Sequence, residues 1–391
     1  MNTEKKHPVV GCCAITNLGN TCYMNSALQL IFNSKIMVKL LIRRNVLTMK
    51  GEDETPIINK LNKIIKHIYM IGNVNLNPTN LRSLILKKLP EFGNYNQQDC
   101  EEFLIKLIDK LIEESTFKFD YRIQDKFEEI HSEYEKFDKK YNDCKTEYDK
   151  NLIRKEYNEF IMVNMELYKE YKAHLYLMDT YKKGISKIHM EVFTILMNKN
   201  SCSKCHKISL TFEHVPMLQI PLPEGDEYSN GNHRLLDERK YSIEECLENH
   251  FKEELLHDYE CSSCKNKNTT TRKLTIWKLS PLFLIQIIRS VTIRNTITYK
   301  RQNSIIPSES LDMGIYCESF ENNINKKYKM NGVVNHMGSH HGGHYYANCK
   351  SLVNNSWYTF NDSHISYCNN GFKDIGYRES CIFMYEYDYT D

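Results

Sequence analysis

The chain has 391 residues, with 52 Lys and Arg against 50 Asp and Glu, for a formal charge of +2. That length allows a substantial buried core, and the near balance of charge gives no basic field to argue for nucleic acid or an anionic membrane. No apolar core follows Met1-Asn2-Thr3-Glu4-Lys5-Lys6-His7-Pro8, and the best apolar run, around Leu279–Ile288, is only strand-length. Neither a secretory signal nor a membrane span is expected, so the fourteen cysteines read as thiols and metal ligands of a reducing compartment, cytoplasmic or nuclear.

The first patterned stretch is Asn17-Leu18-Gly19-Asn20-Thr21-Cys22-Tyr23-Met24-Asn25-Ser26-Ala27-Leu28-Gln29. A glycine turn leads into a helix in which Leu28, Ile31, Phe32, Met37, Leu40 and Leu41 recur mostly at three- and four-residue steps. Cys22 stands at its start, where the helix dipole and unpaired N–H groups favour the thiolate. The same N–H groups, with Asn17, suit the oxyanion of a tetrahedral intermediate. A buried structural cysteine is the alternative that the residues leave open.

Helices are predicted over Pro56–Met70 and Leu81–Leu89, the second ended by Pro90. Tyr95-Asn96-Gln97-Gln98-Asp99-Cys100-Glu101-Glu102-Phe103-Leu104 then opens a helix with Phe103, Leu104, Leu107, Ile108 and Leu111 on its apolar face. Asp99, Glu101 and Glu102 in the first turn complement the dipole, and capping is what the residues alone imply for them. Over 117–185, Phe127, Ile130, Tyr134, Phe137, Tyr141, Cys144 and Tyr148 form one heptad-like seam. Phe160, Asn164, Leu167, Tyr171 and Leu175 form a second, after a polar interval around Asp149–Lys155. The pattern predicts a long helix or an antiparallel helical hairpin, either a self-packed excursion or a docking arm for a partner.

Two Cys-x-x-Cys knuckles follow, Cys202-Ser203-Lys204-Cys205 and Cys261-Ser262-Ser263-Cys264. Each points two sulfurs at one ion, and together they close a four-thiolate tetrahedron with no open position, the pattern of structural zinc. Ser209–Pro221 is strand-like, Tyr241–Phe251 is a helix with Ser242 and Glu245 as a capping box, and Thr271–Ile288 is two strands split by Pro281. Glu224–Glu238, rich in Gly and polar residues, reads as a mobile loop.

A nucleophilic cysteine needs an imidazole and a group to orient it. Fifteen histidines are available, and five cluster at or near His336-Met337-Gly338-Ser339-His340-His341-Gly342-Gly343-His344-Tyr345. Metal binding by this cluster is disfavoured because glycine-rich spacing offers no fixed ligand face. Val333-Val334 and Tyr345–Cys349 look like strands on either side. Trp357-Tyr358-Thr359-Phe360-Asn361-Asp362-Ser363 is a further strand ending in a turn.

The stretch around Cys22 resembles, nearly residue for residue, the Cys box of the ubiquitin-specific proteases, the papain-like deubiquitinases. The Gln97-Gln98-Asp99 segment, the paired knuckles, the His-x-Gly-x4-Gly-His-Tyr spacing and Asn361-Asp362 resemble that family's other boxes, in family order from Asn17 to Asp362. The resemblance implies an α+β papain-like fold forming one catalytic domain over 1–391. Its parts would be a thumb (about 11–116), a helical insertion (about 117–185), and a palm with zinc-pinned β fingers (about 186–391). It further implies Cys22 as nucleophile, His344 as base, Asn361 or the adjacent Asp362 as its orienter, and Asn17 at the oxyanion. Gln98, Asp99, Glu102, Gly342, Gly343 and Tyr345 would hold the ubiquitin tail, and Cys202, Cys205, Cys261 and Cys264 one structural zinc. The implied reaction is hydrolysis of the bond after the C-terminal glycine of ubiquitin, with ubiquitin and ubiquitinated proteins as partners. A protease of another ubiquitin-like modifier and a non-catalytic ubiquitin-binding scaffold are the alternatives. Where the family usually reads Lys-Arg-Phe, this chain has Ile288-Arg289-Ser290, keeping the arginine and losing the aromatic.

Overall fold

The computed structural model describes residues 10–42, 56–71, 74–94, 96–119, 121–223, 239–293, 297–318, 327–339, 342–375 and 378–387. The polar loop expected over 224–238 lies outside them, as do His340 and His341. The described residues form an α+β fold in which a helical layer packs on a large sheet, and a smaller sheet extends from it.

The helical layer contains Cys22–Phe32, Lys35–Ile42, Ile57–Ile71, Thr79–Lys88 and Cys100–Ser115. Every residue of Cys22–Phe32 is buried, so this helix is the centre of the core and not its margin. Tyr23, Phe92 and Phe103 lock it to the Cys100–Ser115 helix through edge contacts with centroids 5.2 to 5.3 Å apart and one stacked pair at 6.0 Å. The single amphipathic helix expected through Leu41 is in fact two. Ser34 starts the second, its Oγ accepting from Met37 N at 3.0 Å and donating to Glu386 Oε1 at 2.5 Å. The buried Glu386 carboxylate also takes the N–H groups of Lys35 and Ile36 at 3.2 and 3.0 Å. An anion from the last strand thus caps a new helix N-terminus, a break that no local periodicity encodes.

The large sheet has the strand order His364–Tyr367, Trp357–Asn361, Gly342–Lys350, Lys327–Ser339, Ser380–Tyr387, Leu282–Ile288 and Leu218–Pro221, with Ser310–Asp312 flanking Lys327–Ser339. All neighbours are antiparallel except Leu218–Pro221, which runs parallel to Leu282–Ile288. Gly342–Lys350 pairs with Lys327–Ser339 along its length, but with Trp357–Asn361 only from Ala347 onward. The start of the strand, Gly342 to Tyr346, therefore has an open edge toward the helical layer. Arg289, kept where the following aromatic is lost, is a buried structural residue; its Nε donates to Ser380 O at 2.9 Å and its Nη1 to Asn303 O at 2.7 Å.

The smaller sheet orders Ile208–Val215, Thr194–Cys202, Thr270–Lys278 and Glu254–Leu255. On it lies the 117–185 region, whose ends meet in an antiparallel bridge between Phe117 and Ile185. In place of one hairpin there are three helices, Glu128–Asp143, Glu147–Val163 and Met165–Thr180. Thr146 caps the second by accepting from Asp149 N at 3.0 Å, which converts the expected polar interval into helix and leaves Tyr148 79% exposed instead of on a seam. The apolar face does not close on itself alone. Phe127, Ile130, Ile161, Tyr168 and Tyr171 share a buried cluster with Met197 and Leu210 of the smaller sheet.

Candidate active site

The turn Gly19-Asn20 delivers Cys22 to the first position of its helix. Gly19 has φ +96° and Asn20 φ +50°, the left-handed conformations that Gly and Asn tolerate best. Asn17 organises this turn: its Oδ1 accepts from Gly19 N at 2.9 Å, Thr21 N at 3.3 Å and Thr21 Oγ1 at 3.2 Å. Its Nδ2 donates to Asp362 Oδ2 at 2.8 Å. The carboxamide is thereby fixed at both ends beside the Cys22 helix start.

The Cys22 thiol departs from the reading made on helix position alone. Backbone N–H groups of Tyr345, Tyr23 and Cys22 do favour the thiolate, but burial outweighs them and the Asp362 carboxylate adds to it, so the pKa is raised. Cys22 is only 5% exposed. The helix terminus contributes as expected; the low dielectric around it decides the sign.

His344 lies on the open-edged start of Gly342–Lys350, and its Nε2 is 2.7 Å from Asn361 Oδ1. An amide oxygen only accepts, so Nε2 carries the proton and Nδ1 the lone pair. Asp362, at φ +50° in the turn after Trp357–Asn361, faces the other way. Its carboxylate accepts from Asn17 Nδ2 and, at 2.7 Å, from Asn25 Nδ2, while its carbonyl accepts from Ile15 N at 2.9 Å. The adjacent pair thus divides: Asn361 contacts the imidazole, and Asp362 ties the sheet to the Cys22 turn. No hydrogen bond joins Cys22 to His344 in this structure.

The remaining expected residues are spread along the same cleft. Asp99 precedes the Cys100–Ser115 helix with extended backbone, but its side chain makes no cap; its Oδ1 accepts from Tyr345 OH at 3.1 Å. Gln98 Nε2 donates to Asn94 Oδ1 at 2.7 Å, and Glu102 is exposed. Gln97, to which the family resemblance gives no role, crosses the cleft to accept from Gly343 N at 2.5 Å. Gly343 is required by contact with backbone, whereas Gly342 abuts the end of the flexible Gln97 side chain. A Cβ on Gly342 would sit 2.1 Å from Gln97 Oε1, and one on Gly343 would sit 2.1 Å from Met337 O and 2.6 Å from His336 Nε2.

His336, also unassigned by sequence, stacks on Tyr345 with centroids 4.3 Å apart and accepts at Nδ1 from Lys300 Nζ at 2.9 Å. Burial and the ammonium hold its pKa down to about 4, so the ring is neutral. Lys300 also donates to His336 O at 2.7 Å, bracing the strand behind Gly343.

At the far end of the smaller sheet, the sulfurs of Cys202, Cys205, Cys261 and Cys264 all lie within 4.8 Å of one another, and none forms a disulfide. Cys202 to Cys264 and Cys205 to Cys261 are each 3.7 Å. Four thiolates about 2.3 Å from one ion at tetrahedral angles stand roughly 3.8 Å apart, so the spacing fits a metal site. Both knuckles fold alike. His206 N donates to Cys202 O and Lys265 N to Cys261 O, with His206 and Lys265 at φ +56° and +59°.

Comparison with known proteins places this geometry. Residues 13–385 match the family model described as ubiquitin carboxyl-terminal hydrolase, and the chain belongs to that family. It is 25% identical over 365 residues to ubiquitin carboxyl-terminal hydrolase Usp2 of Drosophila melanogaster, covering 91% of this chain and 33% of that protein. It is 24% identical over 366 residues to the mouse (Mus musculus) ubiquitin carboxyl-terminal hydrolase 21, covering 91% and 58%. The chain thus spans between a third and somewhat over half of these relatives. Among solved structures, its fold is similar to the SAGA Ubp8/Sgf11/Sus1/Sgf73 DUB module bound to ubiquitin aldehyde, with TM-score 0.63, 20% identity, and coverage of 100% of this chain and 72% of that one. The helical layer, large sheet and smaller sheet are accordingly the thumb, palm and fingers of the expected fold. Among the described residues no helix is long and apolar enough to cross a membrane.

Proposed function

We propose that this chain is a thiol-dependent deubiquitinase that hydrolyses the isopeptide or peptide bond after the C-terminal glycine of ubiquitin. The observation that carries the reading is the division of labour at residues 361 and 362. One residue orients His344 from the palm, and the next fixes the Asn17–Cys22 turn of the thumb. Membership in the family and the ubiquitin aldehyde bound to a relative of the same fold supply the substrate.

In this mechanism His344 Nδ1 takes the proton from Cys22 Sγ as the sulfur attacks the glycine carbonyl. Burial holds the thiol protonated more firmly than the helix start alone would, so the imidazole is needed to take its proton. Asn17 uses Oδ1 and one amide hydrogen to hold the turn, leaving its second amide hydrogen for the oxyanion beside the helix-start N–H groups. The intermediate collapses by expelling the amine, which receives the proton from His344; water then adds to the thioester, returns its proton through His344 and frees the thiol. Asn361 keeps the imidazole plane and tautomer through both steps, and Asp362 acts only through Asn17 and Asn25. Cys22 and His344 come within hydrogen-bonding reach when substrate closes the cleft. Gln98, Asp99, Glu102, Gly342, Gly343 and Tyr345 line the path of the tail, with the carboxylates suited to its basic side chains.

The four cysteines would hold one zinc ion, which would cross-link the fingertip and supply no chemistry at Cys22. Working thiols at both sites suit a reducing compartment, and cytoplasm or nucleus is the location this reading proposes. The exposed side of the insertion, including Tyr148, Leu152 and Val163, is where a partner would dock. Release of a fluorophore from the C-terminus of ubiquitin by wild type and by Cys22→Ala tests the assignment. Turnover is expected only in wild type, and turnover retained by the variant overturns it. Preference for a different ubiquitin-like modifier would keep the mechanism and change the substrate.

A further inference from the structure

The open edge of Gly342–Tyr346 offers two backbone donors two residues apart, which in a strand point to the same side. One of them, Tyr345 N–H, faces the Cys22 sulfur. The other, Gly343 N–H, is filled by Gln97 Oε1 at 2.5 Å. An extended acyl segment whose last carbonyl carbon reaches Cys22 would run along this edge as an added strand and present a carbonyl to Gly343 N–H. The side chain that fills this donor comes from the opposite wall of the cleft, and it stands where even a Cβ on Gly342 finds no room.

We propose that Gln97 is a tethered competitor of the substrate. In the resting enzyme its carboxamide oxygen stands in for the incoming peptide carbonyl on Gly343, and it must withdraw before the tail can reach Cys22. This inference rests on the reading of the cleft as a substrate channel. Gln97 is suited to the part. It is exposed and lies in the irregular stretch just before the Cys100–Ser115 helix, so its withdrawal breaks no regular element. The partner strand is braced from behind by Lys300 and His336, so the donor stays in place when Gln97 leaves. A neutral hydrogen bond of this kind shifts an equilibrium by about fivefold, enough to tune entry without closing the channel.

The test compares Gln97→Ala and Gln97→Glu. Removing the competitor is expected to lower KM for a ubiquitin–fluorophore substrate by about two- to tenfold with kcat unchanged. The carboxylate, a stronger acceptor, is expected to raise KM. Independently of any substrate, hydrogen exchange at the Gly343 amide of the free enzyme should accelerate in Gln97→Ala and slow in Gln97→Glu. A raised KM in Gln97→Ala would make Gln97 a substrate ligand and overturn the proposal, as would Gly343 exchange indifferent to both variants. If wild type fails to turn over ubiquitin while Gly343 exchange responds as stated, the latch stands and the substrate assignment falls.

Discussion

The fingertip and the cleft solve the same problem, holding several reactive groups together, in opposite ways. At the fingertip four sulfurs are gathered by two short turns of identical hydrogen-bond pattern, and two strands bring the turns together. In the cleft, each group sits on a different element, and Asp362, Asp99 and Gln97 are among the side chains that join the two walls. A closed cluster can be built from local geometry because it never has to change. A cleft that admits a polypeptide must be bridged by contacts weak enough to exchange. Groups that must stay fixed, such as Asn17, are over-bonded, whereas His344 keeps one hydrogen bond and a free nitrogen.

The largest expected effect breaks the fingertip. Metal analysis should find about one zinc per chain, and Cys261→Ser should lose it together with a cooperative thermal transition of the fingers. A folded, metal-free and fully active protein would contradict the comparison. Next, Asn361→Ala should lower kcat roughly 10- to 1,000-fold with little change in thermal stability, since it removes an orienting contact at an exposed residue. Asp362→Ala should instead cost stability as well as rate, because it frees the turn that carries Cys22. Equal effects of the two would show that the pair does not divide its roles.

Between the two regions lies the insertion. Tyr171, fully buried with its hydroxyl 2.7 Å from His131 Nδ1, joins the helices to the fingers. Tyr171→Ala should cost about 3 kcal/mol in denaturant unfolding while kcat for a minimal ubiquitin substrate holds. Deleting 117–185 would expose Met197 and Leu210, so the insertion is part of the fingers' support and not a detachable arm.

A further expected effect is acid sensitivity. Burial lowers His189 and His336 to about 4 and His214 to about 3. Between pH 6.5, near the unfolded value, and about 4, the unfolded chain binds protons that the native one refuses. Stability should therefore fall as pH drops through that window. Urea midpoints measured from pH 7.5 to 4.5 check this; midpoints that rise on acidification would contradict it.

What the sequence revealed follows the same division. The knuckles, the capping box of Ser242 and Glu245, and the strands split by Pro281 are local patterns, and the structure has all of them. The thiol pKa, the break at Ser34, the choice between Asn361 and Asp362, and the reach of Gln97 depend on residues hundreds of positions away. Ser34 meets Glu386, Asn17 meets Asp362, and Gln97 meets Gly343. Asn361 ends a strand and Asp362 begins the turn after it, and their side chains point opposite ways, which no spacing records. The insertion misled for a related reason. Its aromatic periodicity is real, but Thr146 and Asn164 interrupt it, and its partner is the neighbouring sheet.

The central claim is that Cys22 is a nucleophile placed for the C-terminus of ubiquitin. The most direct measurement is covalent capture by ubiquitin bearing a thiol-reactive group at its C-terminus, with wild type and Cys22→Ala side by side and a second ubiquitin-like modifier as control. One adduct per chain with ubiquitin, absent in Cys22→Ala and absent with the other modifier, is the predicted result. An adduct that survives the loss of Cys22, or no adduct although ubiquitin binds, would contradict it.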